Sequence, residues 1–98
     1  MAFAVRLVNY QSSRMLNICD AELIGRTVRQ SDLEVNISKS YFAERVVEEK
    51  EAETLLRNAS IINMVGKQTI DLSIRIGVGS QKGVKEIEGV PFLLVFKF

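Results

Sequence analysis

The sequence predicts one α+β domain over residues 1–98, in which a mostly antiparallel sheet of four to five short strands has two helices packed on one face. Three observations support this prediction. The chain has 98 residues, the size of a single domain. Hydrophobic residues make up 47% of it and charged residues 26%, which is typical of a globular protein with a core. Apolar residues recur every second position in several short segments and with a helical period in a longer one.

Short apolar segments near the N-terminus predict strands. Phe3 to Tyr10 and Met15 to Cys19 flank a polar loop, Gln11 to Arg14, and therefore form a hairpin. Asp20 to Gly25 has the pattern of one helical turn, with its first residue as the cap and its glycine as the left-handed end. Alternation of apolar and polar residues from Leu33 to Ser38 predicts a half-buried strand.

The segment Val46 to Asn58 is the clearest predicted helix. Glutamates are concentrated in its first half and Arg57 lies near its end, an order that complements the helix dipole. The glutamates of this segment point in different directions around a helix, so they predict a solvated surface rather than a metal site. The predicted inward face consists of Val47, Ala52, Leu55, Leu56 and Ala59.

The segment Ser60 to Ile76 fits two structures. Its last part, from Ile70, alternates like a strand. The alternative is a helix capped by Ser60 and ended by Gly77, whose apolar residues form one stripe on a helical wheel. The pattern alone does not decide whether Thr69 to Ile76 is a helix or a strand. The stripe consists of Ile61, Ile62, Val65, Thr69, Leu72 and Ile76.

The C-terminal residues are predicted to complete the sheet. Val78 to Gly83 forms a loop that contains glycines, and Val84 to Glu88 forms a short strand. Gly89 to Pro91 is a bend, and Phe92 to Phe98 is a final apolar strand. We therefore expect removal of the last five residues to destabilise the fold.

Charge and residue types exclude several functions. Thirteen Lys and Arg residues against twelve Asp and Glu residues give a formal net charge of +1, so bulk positive charge alone does not support nucleic-acid binding. One cysteine and no histidine exclude a disulfide framework, a zinc cluster and His-based acid–base chemistry. We expect a binding protein with no catalytic residue, metal or cofactor, although carboxylate-only catalysis stays open.

The chain has no pattern for export or membrane insertion. Met1 to Val5 is apolar but short, and it lacks the basic start and cleavage site of a signal peptide. The longest apolar run, Val90 to Phe96, has the length of a strand rather than of a membrane-spanning helix. Together with the single thiol, these features predict a cytoplasmic protein without a membrane partner.

Two local patterns have both a functional and a structural interpretation. Cys19 precedes a predicted helical turn, which favours a thiolate, but the chain has no histidine to serve as its base. A buried structural thiol is the favoured interpretation. Gly77 to Gly83 resembles a phosphate-binding loop, yet it precedes a predicted strand and matches no nucleotide fingerprint. A plain turn is therefore favoured there.

Three stretches together resemble a known family: Cys19 to Thr27, Ala59 to Lys67, and Ile87 to Pro91. In this order and at these distances, essentially the whole chain resembles the small archaeal proteins grouped as domain of unknown function 424. The resemblance implies an archaeal cytosolic protein of mixed α+β fold and favours helix in the undecided segment. It also implies an association with translation and RNA-processing proteins. Members commonly have a histidine or another polar residue where this chain has Phe92.

The candidate binding residues are basic or amide side chains. Four of them lie in loops and short strands: Arg26, Arg29, Lys82 and Lys85. They form a basic patch if the fold brings them together, and phosphate contact there would be salt-sensitive. The two others lie in the middle stretch of the resemblance, where packing is the alternative interpretation. We expect contact with RNA or a ribonucleoprotein linked to translation. The alternative is a protein-interaction module or homodimer that uses the apolar C-terminal strand. The candidate residues are Arg26, Arg29, Asn63, Lys67, Lys82 and Lys85.

Overall fold

Residues 1–97, which the computed structural model describes, fold into two sheets and three α-helices. The helices are α1 (Lys39–Phe42), α2 (Glu49–Asn58) and α3 (Lys67–Arg75), and short 3-10 turns lie at Ala21–Leu23 and Gln81–Gly83. No helix in this part of the chain is both long and apolar enough to cross a membrane. The strands are β1 (Ala2–Tyr10), β2 (Ser13–Asp20), β3 (Thr27–Gln30), β4 (Leu33–Asn36), β5 (Arg45–Glu48), β6 (Ile61–Val65), β7 (Lys85–Ile87) and β8 (Val90–Phe96).

The main sheet has six strands in the order β5-β1-β2-β6-β8-β7. Its neighbouring strands are antiparallel, except that β2 and β6 are parallel. The hairpin of β3 and β4 forms a separate two-stranded sheet. The α+β class predicted from the sequence is confirmed, although the main sheet is larger than the predicted four to five strands.

Alternation along the strands gives the main sheet two different faces. Helices α2 and α3 cover one face and enclose the larger core, which includes Phe3, Leu16 and Ile62. We call the opposite side the open face; along β2 it presents Met15, Asn17 and Cys19. At one end of this open face, α1 and the β3-β4 hairpin enclose a second, smaller core, and the rest of the face has no such cover.

Neither pattern recognised in Ser60 to Ile76 describes the whole segment, and the strand pattern from Ile70 is wrong, because Ile70 to Arg75 belong to a helix. The segment contains a strand, β6, and a helix, α3, separated by Gly66 at a φ of 111°. The prediction of one helix capped by Ser60 is therefore wrong. For Thr69 to Arg75 the helical alternative is confirmed, and Gly77 follows it with a φ of 80°, as predicted for a left-handed end.

The predicted helix Val46 to Asn58 begins later than expected, because its first residues belong to the edge strand β5. Val46 pairs with Ala4 of β1, and Val47 pairs with Phe3. Val47 packs in the core on the helix-covered side, whereas Val46 is 61% exposed. Two β-branched residues with opposite burial suit a strand better than a first helical turn.

Two tight turns join antiparallel neighbours in the sheet. Gln11 and Ser12 have φ values of 48° and 69°, and Glu88 and Gly89 have values of 53° and 80°. The second turn replaces the predicted bend Gly89 to Pro91, because Val90 and Pro91 already belong to β8. In the predicted strand Phe92 to Phe98, Phe98 lies outside the described residues.

Candidate functional site

The uncovered part of the open face bears a cross-strand row of apolar side chains. The register places Val8 beside Met15, Met15 beside Ile61, and Ile61 beside Phe96. Phe96 is 53% exposed, and Leu94, in the next row, is 51% exposed. We call these five side chains the apolar patch. Val8, Met15 and Ile61 are half-buried, and their continuity with the exposed Leu94 and Phe96 indicates a contact surface.

The outer edge of β8 is paired over only part of its length. Strand β7 pairs with Val90 to Phe92 and no further. Hydrogen bonds from Lys97 N to Ser60 O and from Gly66 N to Pro91 O show that the odd-numbered residues of β8 face β6. Leu94 and Phe96 therefore direct their N–H and C=O groups outward, where no strand of the described chain pairs with them.

Beside the apolar patch, two asparagines and one tyrosine form a polar network. Asn17 is fully buried and donates from Nδ2 to the backbone oxygen of Tyr41 at 3.2 Å. Asn63 donates from Nδ2 to Asn17 Oδ1 at 3.4 Å and to Tyr41 Oη at 3.0 Å. A backbone carbonyl can only accept, so the Asn17 nitrogen faces it and the Asn17 oxygen faces Asn63. The network thereby orients both amides and ties α1 to the middle of the sheet.

A cavity of about 370 Å³ opens next to this network, between the β3-β4 hairpin, α1 and strands β6 and β8. None of the side chains that line it is charged. An adjacent cavity of about 300 Å³ shares Asn63 and Phe92 with it and adds Lys85. The walls of the first cavity are Val35, Phe42, Val65 and Phe92, and its polar groups come from Asn36, Ser38, Tyr41 and Asn63.

Asp20 binds the N-terminus of α3 rather than that of the turn that follows it. Its Oδ1 accepts from Thr69 N at 2.8 Å and from Thr69 Oγ1 at 2.7 Å, and its Oδ2 accepts from Gln68 N at 3.1 Å. The prediction that it caps the turn Asp20 to Gly25 is wrong, because its side chain makes no bond there. The buried carboxylate occupies the position at which an external anion would bind the helix.

Cys19 lies in the smaller core and is fully buried. Burial and, to a smaller extent, the neighbouring negative charge of Asp20 together raise the pKa of its thiol to about 12. The thiol is therefore protonated near pH 7, whereas the thiolate is the nucleophilic form. The structural interpretation favoured from the sequence agrees with this environment.

Three of the four glutamates in the segment predicted as a helix pair with arginines. Glu51 pairs with Arg45, and Glu53 pairs with Arg57 at 3.0 Å. Glu49 pairs with Arg75 of α3 at 3.3 Å. Within residues 1–97, no three His, Cys, Asp or Glu side chains are placed to hold a metal ion together.

The six predicted binding residues are distributed over several places. Arg26 and Lys67 line a common cavity of about 240 Å³, together with Asp20 and Glu22. Lys67 also pairs with Asp71 at 3.3 Å. The acidic neighbours reduce the positive potential of this pair.

The other predicted basic residues lie near β7. Arg29 pairs with Glu34 at 2.7 Å, and its backbone N–H donates to Glu88 Oε1 at 2.7 Å, which holds β3 beside the β7-β8 turn. Lys85 lines the cavity that also contains Asn63. Lys82 is exposed in the turn Gln81–Gly83. Among the six residues, the structure thus brings Arg26 together with Lys67, and Asn63 together with Lys85, at shared cavities.

The glycine loop packs against the domain. A Cβ atom at Gly79 would lie 2.5 Å from Ser73 Oγ, and one at Gly83 would lie 2.9 Å from Leu93 Cδ1. The absence of side chains at these glycines therefore allows the loop to approach α3 and β8 closely. The loop leads into strand β7, as the sequence predicts, and it does not begin a helix.

Sequence reasoning missed Asn17 and Tyr41, which hold the network. It indicated the C-terminal strand as an interaction surface but did not single out Leu94 and Phe96. A signal was available for Asn17, because a polar residue in the middle of an apolar strand requires a hydrogen-bond partner when buried. Tyr41 had none, since it lies in a four-residue helix that the sequence pattern does not predict.

Comparison with known proteins gives a family and a fold. The family model described as "Protein of unknown function (DUF424)" matches residues 8–98. No curated protein matches the chain. The crystal structure of an uncharacterized conserved protein from Methanopyrus kandleri has a similar fold, with a TM-score of 0.81 and 16% identity, over 98% of this chain and 91% of that chain. Because the family match extends over most of the sequence, this chain belongs to the DUF424 family of proteins of unknown function, as the resemblance of its three stretches predicts.

Proposed function

We propose that this protein is a binding protein that docks an extended segment of another protein against the apolar patch. The strongest support is that Leu94 and Phe96 combine two features. Their side chains are half exposed, and their backbone groups form the unpaired outer edge of β8. An extended segment can add a strand at such an edge, and its backbone then gains hydrogen bonds. Its alternate side chains would cover the patch.

The composition of the patch favours a protein partner over a nucleic acid. Four of its five side chains are aliphatic or Met, and Phe96 is its one aromatic ring. Nucleic-acid surfaces obtain most of their affinity from several phosphate contacts. A partner segment that alternates apolar with acidic or polar residues would fit, since Lys85 lies on the next strand beside Phe92.

The test compares patch variants with a matched surface variant. Leu94→Asp and Phe96→Asp place charge on the patch, whereas Leu33→Asp changes an equally exposed leucine on the β3-β4 hairpin. A photo-crosslinking residue at position 94 or 33 should identify a partner at position 94 only, and the purified partner should bind wild type and Leu33→Asp but neither patch variant. Equal binding by all variants would contradict the proposal. Self-crosslinks together with a dimeric mass in solution would instead identify a second copy as the occupant.

A second candidate function is association with RNA or a ribonucleoprotein particle linked to translation. It is supported by Arg26, Lys82 and Lys85, which form no ion pair with any described residue and could therefore contact phosphates. Arg29, Lys67 and Asn63 would have a secondary role, because neighbouring groups already bind them. We propose that the protein acts in the cytosol, where a lone thiol stays reduced.

Co-sedimentation tests this second candidate function. Salt- and ribonuclease-sensitive migration with ribosomal particles, lost in a variant with Arg26, Lys82 and Lys85 changed to Glu, would support it. Migration that is unchanged in that variant but lost in Phe96→Asp would assign the association to a protein of the particle. Migration only as a free protein at low salt would contradict it.

A further inference from the structure

We propose that the cavity between α1, the β3-β4 hairpin and the open face binds a nucleobase, whose edge hydrogen-bonds to Asn63 and Tyr41. The base belongs to a free nucleotide or to an unstacked residue of single-stranded RNA. This site goes beyond the protein-docking function, because the lining of this cavity shares no residue with the apolar patch, although the adjacent cavity includes Leu94.

The size and lining of the cavity suit a flat, mostly apolar ligand. Its volume of about 370 Å³ lies within the range of small-molecule sites, roughly 300–1,000 Å³. Val35, Val65 and Phe92 supply apolar walls. Tyr41, which is 42% exposed, supplies an aromatic ring, and the buried ring of Phe42 packs against it with centroids 5.0 Å apart at an angle of 68°. Aromatic rings bind the faces of splayed-out bases by stacking.

Asn63 and Tyr41 keep unused hydrogen-bonding capacity at the cavity. In the network, Asn63 Nδ2 donates to Asn17 and Tyr41, so the Asn63 Oδ1 remains a free acceptor within the described chain. Tyr41 Oη accepts from Asn63, so its own O–H remains a free donor within the same residues. The donor and the acceptor belong to neighbouring groups, because Tyr41 Oη lies 3.0 Å from Nδ2 of the same Asn63 amide that carries Oδ1.

This pair complements the hydrogen-bonding edge of a nucleobase. Such edges carry a donor next to an acceptor, either an exocyclic amine beside a ring nitrogen or a ring N–H beside a carbonyl. A purely aliphatic ligand would leave both Asn63 Oδ1 and the Tyr41 hydroxyl without partners after excluding water, which costs binding free energy. A bare anion would meet no positive charge in the cavity lining.

The charge around the cavity suits the remainder of a nucleotide. The adjacent cavity shares Asn63 and Phe92 and contains Lys85, which forms no ion pair with a described residue. A base in the uncharged cavity would therefore place its sugar and phosphate toward a free ammonium group. The same arrangement serves a mononucleotide and one residue of an RNA strand.

Nuclear magnetic resonance titration of the ¹⁵N-labelled protein tests the site. The ligands are AMP, CMP, GMP, UMP, ribose 5-phosphate and a short unstructured RNA. We expect saturable shifts of the side-chain amide signals of Asn36 and Asn63 with at least one base-containing ligand, and none with ribose 5-phosphate. Tighter binding of the RNA than of every mononucleotide would identify RNA as the source of the base, and equal binding would identify the free nucleotide.

Two variants test the proposed contacts. Tyr41→Phe keeps the ring and removes the donor, and we expect about tenfold weaker binding. Lys85→Ala should weaken binding of the nucleotide but not of the corresponding nucleoside. The exposed Val46, on the far edge strand, provides a control, since Val46→Ser should bind like wild type.

Three results would overturn the proposal: no saturable shift with any base-containing ligand, equal shifts with ribose 5-phosphate, or unchanged affinity in Tyr41→Phe. These results are distinguishable from failure of the docking function, which is measured on Leu94 and Phe96 and with a protein partner. A correctly folded spectrum of each variant is required for the comparison.

Discussion

Gly66 lies so close to Asp20 that a Cβ atom at residue 66 would be 2.4 Å from Asp20 Cγ. Gly66 ends β6 and precedes α3, while Asp20 ends β2, the parallel neighbour of β6. The contact allows one buried carboxylate to accept three hydrogen bonds from the first turn of α3. It thereby fixes where the helix begins relative to the sheet.

We predict that Gly66→Ala destabilises the protein by more than about 3 kcal/mol, because it adds a steric overlap to an unfavourable backbone conformation. Gly25→Ala is the matched control: its φ of 93° is similarly left-handed, but nothing lies within 4 Å of its Cβ position. That variant should lose about 1–2 kcal/mol from conformation alone. Equal losses in denaturant unfolding would show that the contact with Asp20 is not restrictive.

Asp20→Asn should destabilise the protein by about 1–3 kcal/mol at neutral pH. The amide keeps the shape of the side chain, but its nitrogen cannot accept from Gln68 N or from the Thr69 groups, so a buried donor loses its partner. Chemical denaturation measures the loss, and Asp71→Asn, on the exposed side of α3, serves as the control. Asp20→Asn with wild-type stability would show that the cap contributes little.

Cys19 should resist alkylation in the folded protein and react completely once the protein is unfolded. Its thiol is buried, and the pKa raised to about 12 keeps it protonated, whereas an unfolded thiol has a pKa near 9.0. Mass spectrometry after iodoacetamide treatment at pH 8, with and without guanidinium, measures this difference. Rapid alkylation of the native protein would contradict the buried environment.

The same pKa difference predicts a loss of stability in alkaline solution. Between pH 9 and about 12 the unfolded thiol loses its proton while the folded thiol retains it, so ionisation favours the unfolded state as pH rises. Below pH 9 both states are protonated and Cys19 contributes no pH dependence. The free energy of unfolding should therefore fall less steeply over this range in Cys19→Ala than in wild type. Identical slopes would contradict the prediction.

Local sequence patterns predicted those strands and helices well whose structure depends mainly on residues close to them in sequence. Leu33 to Ser38 and the first hairpin have the alternation and the polar turn that such elements require, and β4 and the β1-β2 hairpin form there. The segment Ser60 to Ile76 was harder, because its strand pattern and helix pattern overlap. The break at Gly66 depends on the approach of Asp20, which is 46 residues away in sequence and therefore invisible to a local window.

The candidate site was predicted only in part, again because its residues are far apart in sequence. Asn63 was selected from its stretch of sequence, and it does line a cavity. Its partners Asn17 and Tyr41 lie 46 and 22 residues away. The parallel pairing of β2 with β6 places Asn17 beside Asn63, and the packing of α1 against β2 brings Tyr41 to them. Among the basic residues chosen by type alone, Arg29 is paired with Glu34 of the same hairpin, whereas Arg26, Lys82 and Lys85 form no ion pair with a described residue.

Removal of the last five residues, Leu94 to Phe98, should lower the melting temperature by at least ~10 °C or prevent folding. The truncation leaves Ile61 and Ile62 of β6 without their partners in β8 and exposes the core beneath Val95. It also removes the ammonium group of Lys97, which donates to the oxygens of Leu56 and Arg57 at the end of α2 at 2.7 and 3.0 Å.

Lys97→Met separates the two contributions of this C-terminal segment. It keeps the strand and removes only the cation at the end of α2, where a positive charge offsets the helix dipole by about 0.3–1 kcal/mol. Thermal unfolding should therefore shift by only a few degrees in Lys97→Met and far more in the truncated chain. A truncated protein that melts at the wild-type temperature would contradict the prediction, because β6 would then be stable as an exposed edge. A Lys97→Met variant as unstable as the truncated chain would show instead that the contact with α2, rather than the strand pairing, holds the C-terminus in place.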